Sequence, residues 1–214
     1  MNIDRNEIRR YLGMRTETDT DTNALIEECL PLLEEAADPR HVRVRYPLTW
    51  QNGYPLIEGN VIESRDLAKN LNGCDEVVIM AVTLGAGVDQ LIRRYNVLSM
   101  SKAAVLQACA AAMTEEVCDM VNEEVRQQAC KEGLYTRPRY SPGYGDCSLE
   151  VQKLIFSLID LPHLIGLSLN DSLLMTPFKS VTAFIGISKE NRNPQRSSCD
   201  TCSLEDCAYR REDA

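Results

Sequence analysis

Arg137-Pro-Arg-Tyr-Ser-Pro-Gly-Tyr-Gly-Asp146 separates a helical region before it from a β-rich region after it. Its prolines fix φ and remove backbone donors, so regular structure does not run through it. Its glycines let another backbone or a ligand approach closely. Arg137 and Arg139 add fixed positive charge suited to carboxylates or phosphates. Two readings are open at this point: a rigid, aromatic, cationic clamp for a small molecule, or a linker that turns a corner.

Working back from this loop, residues 101–131 give the longest helix signal. Alanine-rich stretches favour helix. Val105, Cys109, Ala112, Glu116, Val117, Met120 and Val125 trace an imperfect apolar face, and the small side chains of 108–112 invite close packing. Glu115 and Glu116 follow that small-residue run; one or both face solvent, or one reaches a cationic ligand. Residues 76–84 are continuously apolar and read as a buried strand. Thr83-Leu-Gly-Ala-Gly87 then leads into a helix carrying Val88, Leu91 and Ile92. A glycine turn at a helix start can hold an anion, but no phosphate-binding fingerprint is present, and an ordinary tight turn is the simpler reading. Further back, residues 4–12 form a short helix capped by Asp4, and residues 20–37 a second one, with Pro31 set to kink or split it. Val42-Arg-Val-Arg-Tyr46 alternates as a strand with one solvated face, and Ser64 caps a short helix to Leu71.

Forward of the loop, Ser148 caps a helix to Ile159. Residues 167–175 and 180–188 read as an antiparallel strand pair joined by Thr176-Pro-Phe-Lys179. The expected organisation is one domain over 1–188 and a polar, cysteine-containing tail over 189–214.

The chain has 214 residues and a formal charge of −9, from 32 acidic against 23 basic residues. That balance argues against nucleic-acid and anionic-membrane partners. The N-terminus is charged and lacks an apolar signal core, so a cytoplasmic protein is expected. There are nine cysteines, an odd count that suits reduced thiols. Cys199, Cys202 and Cys207 have ligand-like spacing for zinc or an iron–sulfur cluster, with Cys147 as a candidate fourth ligand. The alternatives are a labile thiol cluster or solvated cysteines without a role. The two histidines, His41 and His163, sit in no nucleophile motif, which makes a hydrolase a weak hypothesis.

Arg139-Tyr-Ser-Pro-Gly-Tyr144 resembles the Arg-Pro-x-Pro-Gly-Tyr loop of the activation domain of cobalamin-dependent methionine synthase. Downstream, Ile165-Gly-Leu-Ser-Leu-Asn-Asp-Ser-Leu-Leu-Met-Thr-Pro-Phe-Lys-Ser-Val181 resembles that family's Ile-Gly-Met-x-Leu-Thr-Glu-Ser-x-x-Met-x-Pro-x-x-Ser-Val. The likeness covers 137–188 well, 101–131 loosely, and the first 100 residues only in general character. It implies an α+β fold with a twisted antiparallel sheet and long flanking helices. It implies S-adenosylmethionine binding, with Arg139 on the methionine carboxylate, Ser141 giving backbone contacts, and Gly143 and Tyr144 lining the pocket. Glu115 stands where the family has a glutamate near the ligand's cationic end, with Glu116 as rival. The family's proline after the arginine is Tyr140 here, and a second Arg-Pro pair at 137–138 leaves open which arginine binds.

The implied role is reactivation in trans: a free-standing version that caps the cobalamin-binding domain of a separate methionine synthase or other corrinoid protein. There it would help remethylate cob(II)alamin with one electron from a separate donor. A cluster on the tail cysteines is one candidate carrier of that electron. A corrinoid-protein-binding scaffold or sensor without S-adenosylmethionine chemistry, with or without a C-terminal metal or iron–sulfur site, is the alternative.

Overall fold

A computed structural model of the chain describes residues 3–14 and 20–191. The elements run α1 (Arg5–Tyr11), α2 (Thr20–Ala36), β1 (Arg40–Pro47), β2 (Thr49–Gln51), β3 (Tyr54–Ile57), β4 (Asn60–Val61), α3 (Arg65–Asn70), β5 (Glu76–Thr83), α4 (Ala86–Leu98) and α5 (Met100–Lys131). They continue with β6 (Tyr135–Thr136), α6 (Val151–Leu158), α7 (Leu161–Ile165), β7 (Ser168–Leu169), β8 (Met175–Thr176) and β9 (Ser180–Ser188). The fold class is α+β, as the resemblance implies.

The main sheet has the order β1-β5-β9-β6 and is antiparallel throughout. β5 and β9 are its inner strands and are covered on both faces, which is why both read as nearly unbroken apolar runs. Successive side chains alternate between the faces. Val78, Met80 and Val82 of β5 join Ala183, Ile185 and Ile187 of β9 under α1, α2, α4 and α5. Val77, Ile79, Ala81 and Phe184 point the other way, toward Leu67 of α3, Ile155 of α6, Leu161 and Ile165 of α7 and Ile57 of β3.

Strand β1 lies at the sheet edge and follows the same alternation. Val42, Val44 and Tyr46 pack on the second face. Its arginines are ion-paired rather than merely solvated: Arg43 meets Glu124 of α5, and Arg45 meets Glu76 (Nε to Oε1 3.0 Å) and Glu132 (2.6 Å). Charge along an edge strand also discourages pairing with another chain.

Asp4 caps α1 by accepting the Asn6 N–H at 2.8 Å, and Ser64 caps α3 by accepting that of Leu67 at 3.0 Å. Helix α2 runs through Pro31 without splitting. Thr83 and Gly87 frame the turn into α4: Gly85 N–H donates to Thr83 Oγ1 at 3.2 Å, and a side chain at Gly87 would run into the carbonyl of Ala36. Close packing of α4 on the end of α2 is therefore what this glycine serves.

Three expectations are corrected. Residues 167–175 do not pair with 180–188. Instead they fold back as the small β7–β8 hairpin around Asn170, whose side chain accepts the Leu174 N–H at 2.9 Å. Strand β9 is free to pair with β5 and β6 because that polar turn takes up the intervening chain. Ser148 accepts the Glu150 N–H at 3.2 Å one turn ahead of α6, which begins at Val151. Met120, assigned to the apolar face of α5, is 44% exposed. Among the described residues no helix is long and apolar enough to cross a membrane.

Candidate functional site

Beyond β6 the chain continues along the edge of the sheet. Arg137 N–H donates to the carbonyl of Gly186 at 2.8 Å, and Tyr140 exchanges two backbone hydrogen bonds with Phe184, at 2.9 and 2.8 Å. This half of the 137–146 loop is thus fixed by the same backbone pairing that builds the sheet. The two arginines separate sharply. Arg137 is 5% exposed, packs its stem over Gly186 and directs its guanidinium to the carbonyls of Glu190 (3.4 Å) and Asn72 (3.5 Å). Arg139 faces α5. Its Nη2 donates to Glu115 Oε2 at 2.5 Å and its Nη1 to Asp119.

Glu115 and Asp119 are four residues apart, so they share one face of α5 and grip the same guanidinium. Burial alone would lower the pKa of Arg139, but Asp119 and then Glu115 outweigh it and push the value up. The Cys118 thiol beside them is buried, and that desolvation raises its pKa to about 12, so it stays protonated and unreactive at neutral pH. Glu116 has no partner among the described residues.

The second half of the loop is a tight bend. Tyr144 N–H donates to the Ser141 carbonyl at 3.3 Å, Gly143 N–H to that of Cys147 at 2.8 Å, and the Tyr140 hydroxyl to that of Tyr144 at 3.0 Å. Gly145 sits at φ +52°, and a Cβ there would lie 2.7 Å from Tyr140 Oη and overlap the Asp66 carboxylate. Only glycine lets the strand-bound phenol and α3 close on the bend together. Within this packing burial, then Asp66, raises the Tyr140 pKa to about 12, so the phenol remains a donor.

Asp146 latches the bend to α3. It accepts from Ser64 Oγ at 2.5 Å, Arg65 N–H at 2.8 Å and Asp66 N–H at 3.1 Å, while its own N–H donates to Asp66 at 3.2 Å. The Ser64 hydroxyl first, then the Arg65 N–H, pull its pKa below the ordinary 3.8. The contribution of the latch is complete above 3.8 and is lost as pH falls through the lower folded-state value. Urea midpoints measured from pH 6 to 2 should therefore fall less steeply on the acid side in Asp146→Asn than in the parent. Superimposable acid limbs would show that the latch carries no linked proton.

Tyr144 is 68% exposed at the tip. It acts on the same phenol as Glu115, that of Tyr11 at the end of α1. Burial first, then Glu115, raises the Tyr11 pKa, with Tyr144 adding to it. Arg10 stacks over the Tyr11 ring, 4.9 Å from its centroid. Arg139 ties the loop to α5, on which α1 packs, so Arg139, Glu115 and Tyr144 act on a common neighbourhood that also holds Asp119 and Tyr11. The last two were missed by sequence reasoning. The four-residue spacing from Glu115 is a signal that could have found Asp119; nothing local marks Tyr11.

Of the other sequence candidates, Ser141 and Gly143 lie within the bend. Cys199, Cys202 and Cys207 lie outside the described residues. Cys147, the candidate fourth ligand, is a buried free thiol, and among the described residues no group of three or more His, Cys, Asp and Glu could hold a metal ion. His163 is exposed and pairs with Asp160 at 2.7 Å; His41 lies 3.7 Å from Glu124. Chemically, a guanidinium flanked by two carboxylates offers both signs of charge within one small area. That suits a zwitterion better than a simple anion or cation.

The sequence profile described as vitamin B12 dependent methionine synthase, activation domain, matches residues 65–212. No curated protein matches the chain. Among solved structures, the chain is similar in fold to a crystal structure of the MetH reactivation domain bound to AdoHcy, with a TM-score of 0.63 and 18% identity. The likeness covers 80% of this chain and 66% of that one, so the chain spans slightly under two thirds of that structure's length.

Proposed function

We propose, from the premise that this chain belongs to the family of the vitamin B12-dependent methionine synthase activation domain, that it binds S-adenosylmethionine and presents it to a corrinoid carried by another protein. The observation that carries the reading is the Arg139–Glu115 pair, 2.5 Å apart, held between the loop and α5. Arg139, Glu115 and Asp119 together carry one net negative charge. S-adenosylmethionine carries one carboxylate, one ammonium and one sulfonium, hence one net positive charge.

The residues present fit such a ligand. The Arg139 side chain is 22% exposed, its Nε–H is not used by either carboxylate, and a guanidinium has five donors in a fixed fork. It can therefore take a ligand carboxylate while keeping one or both of its partners. Glu115, 30% exposed, then faces the cationic end. The bend of Ser141, Gly143 and Tyr144 offers backbone groups and an exposed ring at the open side, where a partner's corrin would stand. S-adenosylmethionine supplies a methyl group on a sulfonium, which leaves as the neutral thioether. This chain contributes orientation and charge rather than a nucleophile.

The partner is read as the cobalamin-binding domain of a separate methionine synthase or another corrinoid protein, with an electron donor of its own. A one-electron reductant, S-adenosylmethionine and the partner in its cob(II)alamin state should yield methylcobalamin absorption only when this chain is added. A stable complex with no spectral change would favour a scaffold role instead.

Glu115→Gln separates the two cationic ends. Loss of one charge-assisted contact should weaken S-adenosylmethionine binding about tenfold. In calorimetry, a smaller loss for S-adenosylhomocysteine places Glu115 at the sulfonium. Equal losses place it at the ammonium, and no loss for either ligand removes Glu115 from the site.

A further inference from the structure

A second recess lies two helical turns earlier on α5, about 12 Å along the axis from Glu115 at 1.5 Å per residue. It is a groove of about 450 Å³ lined by Asp89, Ile92, Arg93 and Asn96 of α4, Gln107 of α5, and Phe178 and Lys179 ahead of β9. That volume lies within the range of small-molecule sites. We propose that this groove binds a small anionic molecule, a carboxylate or phosphate ester with a flat apolar body, at a site separate from the Arg139 pair.

Charge is the first argument. The chain is acidic overall, yet this groove holds Arg93 and Lys179 against the single carboxylate of Asp89. Asp89 is 8% exposed, and its Oδ2 accepts the Phe178 N–H at 2.8 Å, so it is committed to holding the loop. Arg93 is exposed and makes no ion pair or hydrogen bond among the described residues. Lys179 is half-buried, and among the described residues its Nζ has one hydrogen-bond acceptor, the carbonyl of Gln107 at 3.2 Å. Burial lowers its pKa, against the opposing pull of Asp89. A partly dehydrated ammonium with one neutral acceptor gains most from an anion.

Shape and polarity agree. Ile92 forms an apolar floor, and Phe178, 56% exposed, stands as a free aromatic wall. Exposing that much of a phenylalanine while anchoring its backbone to a buried carboxylate is what a preformed stacking surface requires. Asn96 and Gln107 add neutral donors at the rim. A bare inorganic anion would leave the aromatic wall unused, so the ligand class combines charge with a planar body.

The test is two-dimensional amide NMR of the whole protein, titrated separately with phenyl phosphate and with inorganic phosphate. Phenyl phosphate should shift the resonances of Ile92, Arg93, Phe178 and Lys179, and bind more tightly than inorganic phosphate. Arg93→Gln, at an exposed position, should weaken phenyl phosphate binding about tenfold without altering the melting temperature. Lys179→Met should do the same. Added S-adenosylmethionine should leave these shifts in place, so failure here is distinct from failure of the Arg139 site. Shifts confined to residues outside the groove, or full binding retained in Arg93→Gln and Lys179→Met, would overturn the proposal. Equal affinity for both phosphates would remove the aromatic wall from it.

Discussion

Arg139→Ala is expected to weaken S-adenosylmethionine binding by about two orders of magnitude, from the loss of hydrogen bonds to a charged group worth about 1.5–3 kcal/mol. The guanidinium is the one cation that Glu115 and Asp119 share, and it is aimed by backbone pairing of its neighbour Tyr140 with Phe184. Its removal takes away the ligand carboxylate's partner and leaves two carboxylates facing that group. The fold should survive, because the three side chains are 22–59% exposed and water can solvate the acids left behind. Arg139→Lys keeps the charge but loses the fork and should fall between the two, about tenfold weaker. Arg137→Ala is the control. Its guanidinium serves the carbonyls of Asn72 and Glu190, so its loss should lower the melting temperature and leave affinity in the folded protein unchanged. Calorimetry with S-adenosylmethionine reads all three. Retention of parental affinity in Arg139→Ala, with the protein folded, would end the proposed reading of the site.

That contrast shows where the sequence was informative. Arg137-Pro138 and Arg139-Tyr140 adjoin one another, and composition cannot choose between the two arginines. Tertiary burial sets them apart, turning Arg137 onto backbone carbonyls and leaving Arg139 to α5. Glu115 rather than Glu116 meets Arg139 for a like reason, helix phase relative to a loop contributed from elsewhere in the chain. The inner strands β5 and β9 were legible because burial on both faces demands an unbroken apolar run. The β2–β4 meander, α7 and the β7–β8 hairpin were not, because elements of two to five residues leave no periodicity to read. Tyr11 was illegible for a different reason. A phenol on a short amphipathic helix looks like any other core residue until α1 packs against α5.

Phe184→Ala should cost about 3–5 kcal/mol of folding stability, the range for truncating a fully buried aromatic. Phe184 is 0% exposed and the bulkiest of the fully buried side chains. It stands on an inner strand and faces the cluster that includes Leu67, Leu71, Ile155 and Ile165, so the cavity left behind would be walled by a strand and several helices that cannot all move in. Phe184→Leu keeps most of the volume and should cost less than about 1.5 kcal/mol. The same residue holds Tyr140 through two backbone hydrogen bonds, which the substitution leaves in place, and Asp146 anchors the far end of the loop independently. The loop should thus keep its geometry in the folded fraction. Urea denaturation is expected to show the large loss, while S-adenosylmethionine affinity at low urea stays near the parental value. Affinity falling in step with stability would mean that the loop is positioned by the Phe184 ring rather than by backbone pairing, and a stability loss under about 1 kcal/mol would mean that the second-face core closes over the cavity far more readily than close-packed interiors do.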